Sequence, residues 1–181
     1  GSYSGETNTA LGGGVFDVFL DGSDLVVTQE GDGELFSMPK DSVTKFTING
    51  SDSNDTVVVD FAGGNPISLS GLCFNGNGQS SMPGDTMTLR AGAADQVMHT
   101  FINEHDGSIG VQIGGINSMI SYTGLEPVLD NLDVDNRIFT FTGGAETITL
   151  SDDAGGANGQ SRIDSTLGEV VTFTNPTTSL T

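Results

Sequence analysis

The residues of this chain that could do chemistry are mostly carboxylates, and they recur in a pattern. Three segments align: FTINGSDSNDTVVV (46–59), LCFNGNGQSSMPGDTMTL (72–89) and FTFTGGAETITL (139–150). Each reads as strand, Asn/Thr-Gly, polar turn, acidic residue, Thr, then an alternating apolar strand. The acidic slot holds Asp55, Asp85 and Glu146, while Asp24 before Leu25-Val26-Val27 and Asn117 before Ser118-Met119-Ile120 occupy similar places. If these share one corner of stacked units, the carboxylates form a column about 5 Å apart. Charges that close repel unless turn N–H groups or a hard cation satisfy them. Two roles are therefore open: each Asp accepts a hydrogen bond from its own turn, or Asp24, Asp55 and Asp85 help to hold Ca²⁺.

Two further clusters carry ligand chemistry without diagnostic spacing. DNLDVDN (130–136) presents Asp130, Asp133 and Asp135, and SDDAGGANGQ (151–160) presents Asp152 and Asp153 on a glycine-rich loop. Both read equally as solvated loops. The calcium nonapeptide G-G-x-G-x-D-x-U-x is met by GSDSNDTVV (50–58) only at Gly50, Asp55 and Val57, with Ser51 and Ser53 where glycines belong.

Catalytic signals are sparse. His99 and His105 lie in HTFINEHDG with Glu104 and Asp106, but His105 reads as part of a turn and His99 as part of a strand. No GxSxG, HExxH, P-loop or dinucleotide fingerprint is present. Carboxylate pairs for glycoside hydrolysis, Asp133 and Asp135 among them, remain open because acids are everywhere. A β-helical enzyme acting on acidic polysaccharide needs basic residues, and the chain has only Lys40, Lys45, Arg90, Arg137 and Arg162.

The charge narrows the partners. With 24 acidic residues against 5 basic ones, the net charge is −19, which repels nucleic acid and anionic lipid and attracts cations. No apolar run approaches the ~18 residues that span a bilayer as a helix, so membrane insertion is not expected. The single cysteine, Cys73, cannot form an internal disulfide and reads as a small strand residue. There is no initiator Met or signal peptide, and the opening Gly-Ser reads as a processed or added end.

What must position these groups is a set of short strands. The chain of 181 residues is 35% hydrophobic, has 27 glycines and lacks Trp, a mix suited to strands and turns rather than helices. The aligned segments recur at about 30 residues, with room for three short strands in each interval. That spacing predicts an all-β chain forming a parallel, right-handed β-helix of about five to six coils, with Thr and Ser stacked in outward ladders. The alternative is an antiparallel β-sandwich, since turns every 8–12 residues also suit that fold. Residues 1–181 are read as one β-helical domain.

ISYTGLEP (120–127), FTFTGGAETITLSDD (139–153) and SRIDSTLGEVVTFTNPTTSLT (161–181) resemble repeat modules of giant secreted or surface proteins of planctomycetes and other environmental bacteria. These are distant relatives of haemolysin-type calcium repeats. The resemblance runs from about Asp24 to the end and implies an extracellular, adhesive or scaffolding β-solenoid cut from a longer array. It implies calcium in neighbouring repeats and no catalytic residues. The expected function is that of a bacterial cell-surface or secreted stalk, scaffold or filament subunit, associating end to end or with other surface proteins. The second expectation is a glycan-binding adhesive module, although Tyr3, Tyr122 and ten Phe are the only aromatics for sugar stacking. A polysaccharide-active enzyme ranks third.

Overall fold

The computed structural model describes the backbone of residues 3–8 and all of residues 14–181. The opening Gly-Ser and the Tyr3 side chain lie outside the described residues. No α-helix occurs among the described residues, and the all-β expectation holds. After β1 (Tyr3–Asn8) come the meander β2 (Val15–Asp21), β3 (Asp24–Gln29) and β4 (Gly33–Pro39), a 3₁₀ turn, then β5 (Val43–Asn49) and β6 (Thr56–Asp60). The middle of the chain forms β7 (Leu72–Asn75), β8 (Asp85–Arg90), β9 (Ala93–Phe101), β10 (Gly107–Ile113) and β11 (Ile116–Thr123). The remainder forms β12 (Leu125–Asp130), β13 (Asp133–Phe141), β14 (Ile148–Asp152), β15 (Gln160–Ser165), β16 (Gly168–Thr174) and β17 (Ser179–Leu180).

These strands make two sheets, ordered β1-β5-β7-β11-β10-β9-β13-β17 and β14-β15-β16-β12-β8-β6-β2-β3-β4. The β-helix of three-strand coils is therefore corrected: the sheets are two, both mixed, and they do not form a solenoid. The strictly antiparallel sandwich is corrected too, because β2, β6, β8, β12 and β16 run parallel. Tight turns explain the mixture. Gly114 and Gly115 both have positive φ, which lets a two-residue turn join β10 to β11, and a two-residue turn can only return the chain antiparallel. Two-residue turns at 22–23 and 166–167 reverse β2 to β3 and β15 to β16 in the same way, and the longer loop 153–159 reverses β14 to β15.

Inward side chains align in columns across the parallel strands. Phe16, Val57, Met87, Val128 and Val171 are paired in register from β2 to β16, and all are fully buried. One core joins the two sheets, and Phe139 of β13 tilts against Phe173 of β16 at 5.0 Å. Outward ladders form as expected: Thr56 meets Thr86 at 2.9 Å, and Asn75 donates to Asn49 at 2.7 Å. No helix of the described residues is long and apolar enough to cross a membrane.

Candidate functional site

The acidic column begins as a structural corner between β6 and β8. Asp55 and Asp85 are both buried, and the Asp55 N–H donates to Asp85 Oδ1 at 2.7 Å. The Asp55 carboxylate in turn accepts from Gly14 N at 2.8 Å, Ser51 N at 2.7 Å and Ser51 Oγ at 3.0 Å. Each carboxylate thus satisfies an amide of the preceding strand or its own turn. The glycines of the motif make room for them. A Cβ at Gly76 would collide with Asp85 Oδ2 and, at 2.6 Å, with the Gly124 carbonyl; one at Gly50 would come within 2.7 Å of the Gly76 carbonyl.

Asp85 Oδ2 is buried without a hydrogen-bond partner, and burial pushes the Asp85 carboxyl up to about 6. The bond from the Asp55 amide opposes that rise and the Asp55 charge adds to it. The other expected members do not join the column. Asp24 ends the β2–β3 hairpin, Asn117 lies next to the β10–β11 turn, and Glu146 precedes β14. The regular interval fails for the same reason that the sheets are mixed: Asp55 lies 30 residues before Asp85 but 41 after Gly14, since the antiparallel meander β2–β3–β4 lengthens the earlier interval.

A second group sits inside the core. His99 of β9, Asp130 of β12 and Arg137 of β13 have fully buried side chains. His99 Nε2 lies 2.8 Å from Asp130 Oδ2, and Arg137 Nη1 donates to the same oxygen. Arg137 Nη2 donates to the Leu132 carbonyl at 3.0 Å, and the Leu132 N–H donates to Asp130 Oδ1 at 3.2 Å. Burial, and then the Arg137 charge, holds the His99 pKa well below its ordinary value. Neutral His99 therefore carries its proton on Nε2, toward the carboxylate. The ring stacks near Phe139 at 5.1 Å and Phe101 at 6.4 Å, which are themselves 6.3 Å apart. The Arg137 guanidinium sits 5.4 Å from the Phe173 ring centre.

Imidazole and carboxylate in contact are the parts of a general base. Here they are sealed between the sheets, and no substrate reaches them without opening the core. Strand parity could have flagged the group: His99 alternates with Val97 and Phe101, and Arg137 with Phe139, so both point inward. Asp130 replaces an apolar residue in the column Val18, Val59, Leu89, Phe173.

The remaining acids are scattered. Asp133 and Asp135 are exposed on β13, and Asp135 accepts from Thr177 Oγ1 at 2.9 Å. Asp152 is exposed on β14. Asp153 accepts from Asn158 Nδ2 at 2.8 Å and Gly155 N at 2.9 Å, and these bonds lower its pKa. Among the described residues, no group of three or more His, Cys, Asp or Glu side chains is arranged to hold a metal ion.

The 102–106 turn borders two open clefts. One, of about 800 Å³, is lined by Asn77, Gln79, Asn103, His105, Asp106 and Thr123 among others; its neighbour includes Glu126, Arg162 and Asp164. His105 Nδ1 meets Glu126 Oε1 at 2.5 Å. Behind them Glu169 and Tyr122 are buried, and Glu169 Oε2 and the Tyr122 hydroxyl lack hydrogen-bond partners. Burial pushes the Glu169 carboxyl up to about 8, with the Glu126 and Asp164 charges adding to the rise and a bond from the Val170 amide opposing it. Tyr122 and all ten Phe are buried or half-buried, so no described Phe or Tyr offers an open ring to a sugar. No protein-family model, curated protein or solved structure matches the chain.

Proposed function

We propose that this chain is a structural or adhesive module of a secreted or surface-displayed bacterial protein, serving as a stalk, scaffold or filament segment and not as an enzyme. One observation carries the reading: the groups best suited to catalysis or metal binding, His99–Asp130–Arg137 and Asp55–Asp85, are buried and bonded to one another inside the fold. The strong negative charge and polar turns fit a solvated surface role. The parallel run from β2 to β16 supports the finer view of the chain as one segment of a longer stack of strands.

Antibodies raised against the chain test this reading. They should label intact cells of the source organism, and the signal should vanish when external protease shaves the surface. Labelling only after lysis would sink the proposal. The Asn-, His- and Asp-lined cleft favours glycan binding as a second reading, which a reproducible hit on a glycan array would promote. Turnover of a polysaccharide by the purified chain would replace both with the enzyme reading. Calcium enters as an expectation for the acidic turns, tested by the titration described below.

A further inference from the structure

Asparagine followed by glycine can react with itself: the glycine nitrogen attacks the side-chain amide carbon, and no Cβ on the glycine hinders the approach. The chain has four such pairs, Asn49-Gly50, Asn75-Gly76, Asn77-Gly78 and Asn158-Gly159. The nitrogen must be free to move and to lose its proton, so a hydrogen bond on the glycine N–H holds the reaction back. Three of the pairs are tied in this way to neighbouring segments. Gly50 N donates to the Asn75 carbonyl at 2.7 Å, Gly76 N to the Thr123 carbonyl at 2.8 Å and Gly78 N to the Ser51 carbonyl at 3.3 Å. Their side chains are engaged as well: Asn75 Nδ2 donates to Asn49 Oδ1, and Asn77 Nδ2 to the Gly50 carbonyl, both at 2.7 Å. Gly50 and Gly76 are buried and closely packed against backbone oxygens, so their peptides have no room to turn.

The fourth pair differs at each point. Asn158 and Gly159 are exposed in the 153–159 loop between β14 and β15. The Gly159 N–H donates to no group among the described residues, and a Cβ at Gly159 would meet nothing within 4 Å. Gln160 N donates to Asn158 Oδ1 at 3.0 Å. That bond closes a turn that folds the Asn158 side chain over its own peptide and brings Cγ up to the Gly159 nitrogen. The same N–H polarises the side-chain carbonyl and supports the negative charge that gathers on Oδ1 during attack. Asn158 Nδ2 donates to Asp153 Oδ2 at 2.8 Å and to Gln160 Oε1 at 3.4 Å, which fixes the amide with its oxygen toward the Gln160 N–H.

We propose that Asn158 is a site of spontaneous deamidation and isoaspartate formation, selected by the fold from the four Asn-Gly pairs. The Gly159 nitrogen gives up its proton and bonds to Asn158 Cγ, the Cγ–Nδ2 bond breaks, and the amide nitrogen takes a proton and leaves as ammonia. Water then opens the cyclic imide. Entry at Cγ yields aspartate on the original backbone, and entry at the Asn158 backbone carbonyl carbon yields isoaspartate, with the chain running through Cγ. Either product sets a new carboxylate against Asp153, so the contact that closes the loop becomes a repulsion and the β14–β15 hairpin loosens at this end. The reaction needs only this loop and water, so it stands independently of the surface role proposed above.

The test incubates the full chain at neutral pH, folded and, in parallel, unfolded in concentrated urea. Both samples are digested in weak acid, where the ring closes slowly, and each Asn-Gly pair is read by fragmentation mass spectrometry. In the folded protein Asn158 should convert at least about tenfold faster than Asn49, Asn75 or Asn77, since releasing one bonded glycine N–H is worth about that factor. In urea the four should convert at similar rates. Methyl transfer from S-adenosylmethionine by an isoaspartyl methyltransferase should label the folded sample at residue 158. Asn158→Gln, whose longer side chain must close a larger ring, should remove most of the ammonia released by the folded protein. Folding that slows Asn158 as much as the other three would overturn the proposal, because the Asp153 and Gln160 bonds would then be protecting the side chain. Ammonia release unchanged in Asn158→Gln would overturn it as well.

Discussion

Replacing Glu169 by Gln should stabilise the protein at alkaline pH and remove a slope from its pH profile. Glu169 is 3% exposed and its carboxyl is raised from 4.5 to about 8, chiefly by burial. The folded protein holds this proton more tightly than the unfolded chain does. Stability is therefore fully present below about pH 4.5 and is lost progressively as pH rises to about 8. One group in that window costs about 1.4 kcal/mol per pH unit, so the loss between about pH 6.5 and pH 8 is on the order of 2 kcal/mol. This window is the cleanest, because Asp85, with its value near 6, is mostly ionised within it and the unfolded chain's His99 is mostly neutral above about pH 7. Gln keeps an oxygen for the Val170 N–H, which now bonds Glu169 Oε1 at 2.8 Å, and carries no charge at any pH.

Urea denaturation of wild type and Glu169→Gln at half-unit steps from pH 6 to 9 measures the difference directly. The gap between them should widen by about 2 kcal/mol between about pH 6.5 and pH 8, the variant gaining on wild type. Parallel profiles across the window would refute the reasoning, since they would place Glu169 in contact with water or with a partner that stabilises its charge.

The core ion group makes a contrasting case. Arg137→Met alone should destabilise by about 3–5 kcal/mol, because Asp130 is left charged and buried, whereas replacing His99, Asp130 and Arg137 together by apolar residues should cost little; equilibrium unfolding distinguishes the two. Below pH 6.5 the unfolded chain protonates His99 while the fold keeps it neutral, so stability falls toward acid by about 1.4 kcal/mol per unit from this group, and His99→Leu should remove that limb. Gly76→Ala, which drives a methyl into the Gly124 carbonyl and the Asp85 carboxylate, should lower stability by about 1–3 kcal/mol in chemical denaturation. A thermal melt with calcium titrated from chelator to millimolar reads the acidic turns: a large rise in Tm means cations bind the folded state, and a flat response means Asp55 and Asp85 serve the turns alone.

How much of this was legible depends on whether a feature is local. The strand, Asn-Gly and Asp pattern of 46–59 and 72–89 places Asp55 over Asp85 and Thr56 beside Thr86, as the alignment implies. Parity marks His99 and Arg137 as inward. Their meeting with Asp130 depends on which strands face each other across the core, and that choice is not encoded in any one segment. FTFTGGAETITL crosses from β13 to β14 between the sheets just as the earlier segments cross from β5 to β6 and from β7 to β8, but the alignment of Glu146 with Asp55 failed because β14 lies at a sheet edge and pairs with antiparallel β15, outside the parallel run of β6 and β8. The local pattern repeats there, but the partner strand that would complete the corner does not.

The same comparison says what the acidic slot is for. Asp55 reaches back to the amide of Gly14, and Asp85 reaches back to the amide of Asp55, so each carboxylate fixes its strand one residue against the last. In both steps, β2 to β6 and β6 to β8, the pairing is unbroken. At the next step Leu125 of β12 stands opposite Asp85, and no carboxylate there can reach back to the Asp85 amide, which bonds Gln79 instead at 3.4 Å. That is the step at which the register shifts, between Leu125 and Val128. Because a slip of one residue would turn every buried side chain toward water, a buried acid that costs stability through its raised pKa can still specify the fold by holding register.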